Sequence, residues 1–274
     1  MIKVTFFGVR GSTPCSGPQM QVYGGHTSCV TIEIDNQIFI CDAGSGIFDA
    51  STMVLEKYPK ESHLLLSHGH LDHVMGLPFF KPIWDKNHTL NIYAGTFHNV
   101  GGVKSFLTKA FRPPLFPVPF ERFASHAHFT DFTPGDRVKI NNFLIETHSL
   151  NHPNGAVGYR FDHKGMSVCY ITDHEHTPGV VDHELLNFIK GTDLFIYDAS
   201  YDDVGFEKCK GWGHSTWQEA LRLGKMACVK HTVLFHHDPL SNDETMHNIE
   251  AQAKILDPTC IVSRQGMVID LPIK

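Results

Sequence analysis

The chain has no excess of positive charge. Its 23 lysines and arginines are outnumbered by 29 aspartates and glutamates, giving a formal charge of −6. A global basic field of the kind that draws nucleic acid is therefore missing. Cysteines never form a Cys-x-x-Cys pair. Seven are scattered, at Cys15, Cys29, Cys41, Cys169, Cys209, Cys228 and Cys260. An odd, dispersed set excludes a zinc ribbon and reads as the reduced thiols of a cytoplasmic protein. Cys29, Cys41 and Cys169 fall in apolar runs, where a thiol serves as a small buried hydrophobe. No apolar stretch reaches the roughly 20 residues needed to cross a bilayer, so no membrane partner is expected. Met1–Phe7 has strand character and no basic segment leading into an apolar core, so no signal peptide is expected either. Neither a repeat nor a linker divides the 274 residues. One domain is expected over 1–274, large enough for a substantial core.

What the chain has in quantity is histidine: 20 imidazoles, nearly as many as lysine plus arginine. One short run concentrates them. His68-Gly69-His70-Leu71-Asp72-His73 puts three imidazoles and a carboxylate within six residues. Such donors suit a borderline divalent ion, zinc first, with manganese or iron also admissible. The preceding His63–Ser67 is an apolar run leading into a polar, glycine-containing turn, the pattern of a buried strand and its end. In α/β sheets, sites gather where strands end. His68 and His70 are two apart and point the same way in an extended segment. Asp72 and His73 follow the turn and can open a helix. One segment can therefore serve two adjacent metal ions. Three further ligand-type residues stand where strands meet loops: His152, Asp173 and His236. His237, next to the last of these, leaves that ligand ambiguous.

Apolar runs alternate with turn signals along the whole chain. Strands are expected at Ile2–Phe7, Cys29–Ile34, Gln37–Cys41, Ser62–Ser67, Thr89–Tyr93, Arg137–Ile140, Phe143–Ser149, Val157–Asp162, Ser167–Thr172, Leu194–Tyr197, Thr232–Phe235, Cys260–Ser263 and Met267–Leu271. Helices are expected at Ile47–Tyr58, Val100–Phe111, Val181–Ile189, Thr216–Ala227 and Asp243–Asp257. Thr216 with Glu219 reads as a capping box, with Ser215 and Gln218 a competing frame. Early and late strand blocks, each with helices, fit an α/β fold of two packed sheets with helices outside. One segment breaks the rhythm: Phe111–Phe120 holds four prolines and three phenylalanines. It reads as a stiff connector on the surface, with a wall over the active site as the alternative.

These motifs, in this order, resemble the metallo-β-lactamase superfamily over essentially the whole chain. The strongest marker is His68-x-His70-x-Asp72-His73. The resemblance implies a four-layer αββα sandwich of two mixed β-sheets and a binuclear metal-dependent hydrolase. It implies that His68, His70 and His152 hold one divalent ion, that Asp72, His73 and His236 hold the other, and that Asp173 bridges them. His236 is favoured over His237 because it directly follows the strand. Gly213-His214-Ser215-Thr216 resembles the Gly-His-Ser-Thr motif of tRNA 3′-end endonucleases (ribonuclease Z) and their small-molecule phosphodiesterase relatives. Tyr197-Asp198-Ala199-Ser200 resembles their His-Glu-Ala-Thr motif, with Tyr for His and Asp for Glu. By that match His214 binds phosphate and protonates the leaving group, Asp198 orients it, and Ser215 belongs to the substrate site. Asp72 is expected to orient the attacking water as well as bind metal.

The loop Gly8-Val9-Arg10-Gly11-Ser12-Thr13-Pro14 offers glycines for close approach and Arg10 as a cation for phosphate, although Arg10 could equally pair with an acidic neighbour. Ribonuclease Z carries a long arm between the ligands matching His152 and Asp173, to hold tRNA. Here only a plain hairpin fits between them. The expected substrate is a small or cyclic phosphodiester, with nucleic acid disfavoured and a homodimer admissible. The alternatives are a tRNA 3′-end endonuclease, a thioester or lactone hydrolase, and a non-catalytic metal-binding module.

Overall fold

The computed structural model describes residues 1–124 and 126–272. Two seven-stranded mixed sheets face each other. The first is built from β1 (Ile2–Gly8), β2 (Cys29–Ile34), β3 (Gln37–Cys41), β4 (Glu61–Leu66), β5 (Thr89–Ala94) and β6 (Ala127–Asp131). The second contains β7 (Arg137–Ile140), β8 (Phe143–Leu150), β9 (Ala156–His163), β10 (Met166–Ile171), β11 (Leu194–Asp198), β12 (His231–Phe235) and β13 (Ile261–Val262). The last strand, β14 (Val268–Leu271), leaves the second half and returns to β1, pairing Leu271 with Ile2. Each sheet begins as antiparallel hairpins and continues as parallel strands, β3 to β6 in one and β10 to β13 in the other. Asp35-Asn36 and Lys164-Gly165 close two-residue hairpins, with φ above zero at Asp35, Lys164 and Gly165.

The sequence pattern explains the layers. Alternation along β1 sends Ile2, Val4 and Phe6 inward, where they join Ile32, Phe39, Tyr159, Phe161, Val168, Tyr170, Ile196 and Phe235 in a core shared by both sheets. Parallel strands such as β10 are buried on both faces and read as continuous apolar runs. Outside the first sheet pack α1 (Ile47–Lys57), the short α2 (Leu71–Val74), α3 (Gly102–Ala110) and α4 (Phe120–Phe123). Val54, Val103 and Leu107 seal that outer layer against Leu64, Leu66 and Ile92. Outside the second sheet lie α5 (His183–Ile189), α6 (Asp203–Phe206), α7 (Trp217–Met226) and α8 (Asp243–Leu256), whose Leu185, Ala220, Leu223 and Ala253 cover Ile171, Phe195 and Leu234. The result is the expected four-layer αββα sandwich. Among the described residues no helix is long and apolar enough to cross a membrane.

Caps set the helix starts. Asp182 accepts from the Leu185 N–H, so α5 begins at His183 and not at Val181. Thr216 accepts from the Glu219 N–H, which settles the competing frame in favour of Thr216. A 3₁₀ turn over His98–Val100 takes up the first residues expected in α3. Strand β6 was not foreseen: it is a half-exposed edge in which only Ala127 and Phe129 turn to the core, between polar His128, Thr130 and Asp131. The Phe111–Phe120 segment is a connector of the outer layer, not a wall over the metals. Phe111 and Phe116 pack edge-on, Phe116 meets Phe79 and Phe123, and Trp84 stacks on Phe123 at 4.9 Å.

Candidate metal centre

The strands of both sheets end at one edge of the sandwich, and there the ligand-type residues meet. After β4 the chain turns through His68 and Gly69 into α2, with His70 as its N-cap and Asp72 and His73 in its single turn. His152 follows β8, Asp173 follows β10 and His236 follows β12. Asp173 and His236 both adopt left-handed backbone, φ 55° and 59°. Such positions are rare for residues with a Cβ and cluster at functional sites.

Two donor groups result, joined by one carboxylate. In the first, His70 Nδ1 lies 3.0 Å from His152 Nε2, and Asp173 Oδ1 lies 3.7 Å from both His68 Nε2 and His152 Nε2. In the second, Asp173 Oδ2 lies 3.2 Å from His73 Nε2 and from His236 Nε2. Asp72 Oδ2 is 3.2 Å from His73 Nε2 and 3.3 Å from His236 Nε2. Each group offers ligand atoms that lie within 4.8 Å of one another. Asp173 thus presents one oxygen to each side.

The donor chemistry fits divalent ions. His152 Nδ1 donates to the Gly213 carbonyl at 2.7 Å, and His73 Nδ1 to the Asp42 carboxylate at 2.8 Å. A neutral imidazole donating there keeps a lone pair on Nε2. Those lone pairs face other ring nitrogens at hydrogen-bond distance, an arrangement that a shared cation satisfies. His68 Nε2 is buried with no hydrogen-bond partner at all. Burial lowers the pKa of His68 and His152, keeping them neutral and ready to ligate.

A supporting shell fixes these ligands, and most of it was invisible in the sequence. Asp42 ends β3 fully buried and takes four donors: Ser67 N–H and Oγ at 2.7 Å, Tyr170 O–H at 2.8 Å and His73 Nδ1. Its only signal was a lone acid closing an apolar strand. Glu175 accepts from the N–H groups of Gly211 and Gly213 at 2.9 and 2.7 Å, so it holds the loop whose carbonyl orients His152. The sequence carried no signal for it beyond nearness to Asp173. Ser12 N–H donates to Asp72 Oδ2 at 2.7 Å. A Cβ at Gly11 would overlap the His236 ring. The glycine-rich N-terminal loop therefore serves a metal ligand by close approach.

A model of the β-lactamase superfamily domain matches residues 38–237, which include every ligand named above. The chain belongs to the β-lactamase superfamily. Ribonuclease Z of Pyrococcus furiosus is 24% identical over 291 aligned residues, covering 87% of each chain. The fold is shared with a diphosphatase of the PhnP family, at TM-score 0.73 and 16% identity over 99% of this chain and 98% of that one. It is also shared with the short form of human tRNase Z, at TM-score 0.66 and 20% identity over 99% and 100%.

On this superfamily scaffold the remaining expected residues divide. His214 sits beside the centre. Its Nδ1 donates to Asp198 at 2.9 Å and lies 3.6 Å from Asp173 Oδ1, and its ring stacks on His236 at 5.0 Å. Burial works against its charge, but the Asp198 carboxylate raises its pKa to about 9. Asp198 is fully buried and also accepts from the N–H groups of Asp173 and Ser200. Ser215 lies behind this pair. It is fully buried, with its Oγ between His176 Nδ1 at 2.7 Å and Tyr197 O–H at 3.2 Å. That geometry corrects its assignment to substrate binding. Arg10 is also corrected. It has no exposed surface, and its guanidinium donates to the carbonyls of Gly24, Asp238 and Ser241. The cation ties loops together and does not face a phosphate. His237 turns its Nε2 to the Ser263 carbonyl at 2.9 Å, and it is His236 that faces Asp72 and Asp173.

Proposed function

We propose that the protein is a binuclear metal-dependent phosphodiesterase acting on a small or cyclic phosphodiester, such as a cyclic nucleotide. The observation that carries this reading is Asp173 set between two histidine groups, with the His214–Asp198 pair against the same carboxylate. When bound, two divalent ions acidify water and neutralise charge on phosphate oxygens, zinc being the expected metal and manganese or iron also suiting the donors.

The chain's own residues supply the rest. Asp72 is held from outside by Ser12 N–H, so its position is set before substrate arrives. Asp198 accepts a hydrogen bond from His214 Nδ1–H and directs the opposite ring nitrogen away from itself. His214 then holds a proton where the leaving oxygen departs, a role worth typically about 10²–10⁴-fold in rate.

The small-substrate reading is supported by the span from His152 to Asp173, which holds only the β9–β10 hairpin with its Lys164-Gly165 turn, and by the net acidic charge. Ribonuclease action is the second reading, favoured by the relatives that bear that name. The test compares kcat/KM for 2′,3′- and 3′,5′-cyclic nucleotides with that for a 3′-extended precursor tRNA, in one buffer and metal. A small substrate should change little with salt. An enzyme that neutralises several tRNA phosphates weakens steeply. Faster and salt-sensitive cleavage of the tRNA establishes the second reading instead.

A further inference from the structure

Beside the first donor group lies a cavity of about 280 Å³ that the chemistry above leaves unused. His68 and His70 form one end of it. One wall is Phe97, just past β5, and Phe106 of α3, their rings stacked 4.3 Å apart at 18°. Gly69, between the two ligating histidines, allows this. A Cβ there would stand 2.7 Å from the Phe97 ring and 2.8 Å from the Phe106 ring. The metal-binding turn therefore rests directly on the aromatic pair. The lining continues through Pro153, Asn154 and Gly155, the loop that follows the ligand His152.

Polar groups on the lining are few. Apart from the two imidazoles at its end, they are the amides of Asn99 and Asn154. The Thr96 hydroxyl is sealed from solvent and does not open into this space.

We propose that this cavity holds the organic substituent of the phosphodiester and selects a planar ring of the nucleobase kind. The proposal rests on the phosphodiesterase reading above. With phosphate at the metals, the substituent next to His68 and His70 enters this space. Its volume of about 280 Å³ falls just below the roughly 300–1,000 Å³ of ligand pockets, room for one ring system and not for a run of nucleotides. A stacked phenyl wall favours a flat ring over an alkyl chain. The two amides supply donors and acceptors to the polar edge of a base.

The test compares two esters with one leaving group, phenyl and methyl p-nitrophenyl phosphate. The metal-loaded protein should favour the phenyl ester in kcat/KM by roughly 5- to 150-fold, the range of base–aromatic stacking. Phe106→Ala should bring that ratio towards one, and Phe106→Tyr should keep it. No preference in the unaltered protein, or equal losses on both esters in Phe106→Ala, overturns the subsite. A binding arm separates this outcome from failure of the phosphodiesterase reading. Calorimetry on metal-loaded protein should find adenosine monophosphate tighter than methyl phosphate, with the difference lost in Phe106→Ala. That result with neither ester hydrolysed removes the activity and keeps the subsite. Equal affinity for the two phosphates removes the subsite.

Discussion

Replacing Asp42 by asparagine isolates what the buried shell does for the metals. The side chain keeps its shape, and one oxygen still accepts from Ser67 N–H at 2.7 Å. The other oxygen, which meets Ser67 Oγ, Tyr170 O–H and His73 Nδ1, becomes an NH₂ group. Both hydroxyls can rotate and accept from it. His73 Nδ1–H cannot, so the proton must move to Nε2, the nitrogen that faces Asp173 Oδ2 at 3.2 Å. The Tyr170 O–H, turned to accept, loses the acceptor for its own proton, and one unsatisfied buried donor costs about 1–3 kcal/mol. Loss of a hydrogen-bonded carboxylate behind a ligating histidine typically costs about 10–100-fold in metal affinity. Chelator-treated Asp42→Asn should therefore lose about 1–3 kcal/mol in urea unfolding. Competition with a chromogenic chelator should show the weaker-binding ion held about 10–100-fold less tightly. Unchanged affinity beside a normal stability loss would reduce Asp42 to a packing residue and refute the reasoning.

Other substitutions probe separate parts of the site. Asp173→Ala removes the carboxylate shared by both donor groups, so elemental analysis should fall well below two ions per chain; full retention at unchanged affinity excludes the bridge. His214→Ala should keep both metals and lower kcat more on alkyl leaving groups than on p-nitrophenolate, which departs without a proton; an equal loss on both removes the acid role. Glu175→Ala should free the Gly211–Gly213 loop and weaken the ion held by His152, with Glu175→Gln restoring part of the loss; metal titration that cannot distinguish the three proteins denies the positioning role. Far from the metals, burial alone would raise Glu250, but Lys254, Tyr23 and Arg264 hold its pKa at about 2. Its folded value lies below the unfolded value of about 4.3, so its contribution is complete above that pH and is lost as pH falls towards 2. Glu250→Gln should be less stable at neutral pH and lose less between pH 4.3 and 2; parallel curves in that window contradict the assignment.

That these donor-type residues gather at one edge of the sandwich was legible because their signals are local. An apolar run ending in His, Asp or a His-rich turn marks a strand end, and β4, β10 and β12 all carry that mark. Arg10 was misread for the opposite reason. A cation in a glycine-rich loop looks the same whether it faces a phosphate or a carbonyl. Ser241, which decides the matter, lies 231 residues away. Asp42 and Glu175 escaped similarly, since their partners at His73 and Gly213 lie 31 and 38 residues off. Edge strand β6 carries its alternation on two apolar residues alone, Ala127 and Phe129, too short a pattern to mark a strand. Ser215 matched a motif, but only packing reveals that its hydroxyl points behind His214 and not towards the substrate.

The return of β14 to β1 has a consequence for how the chain is made. During synthesis the first sheet emerges with β1 as an open edge, because its outer partner comes from Val268–Leu271 at the far end of the chain. An uncovered strand edge is a template for pairing with other chains. Closing it requires contacts across almost the full sequence, the kind that slow folding. His68–His73 also come from the first half and Asp173 and His236 from the second, so neither donor group is complete until both halves exist. The open edge of β1 and the two donor groups therefore share one dependence: each is finished by a segment that is made long after the first sheet has begun to form, β14 for the edge and the turn after β12 for the donors.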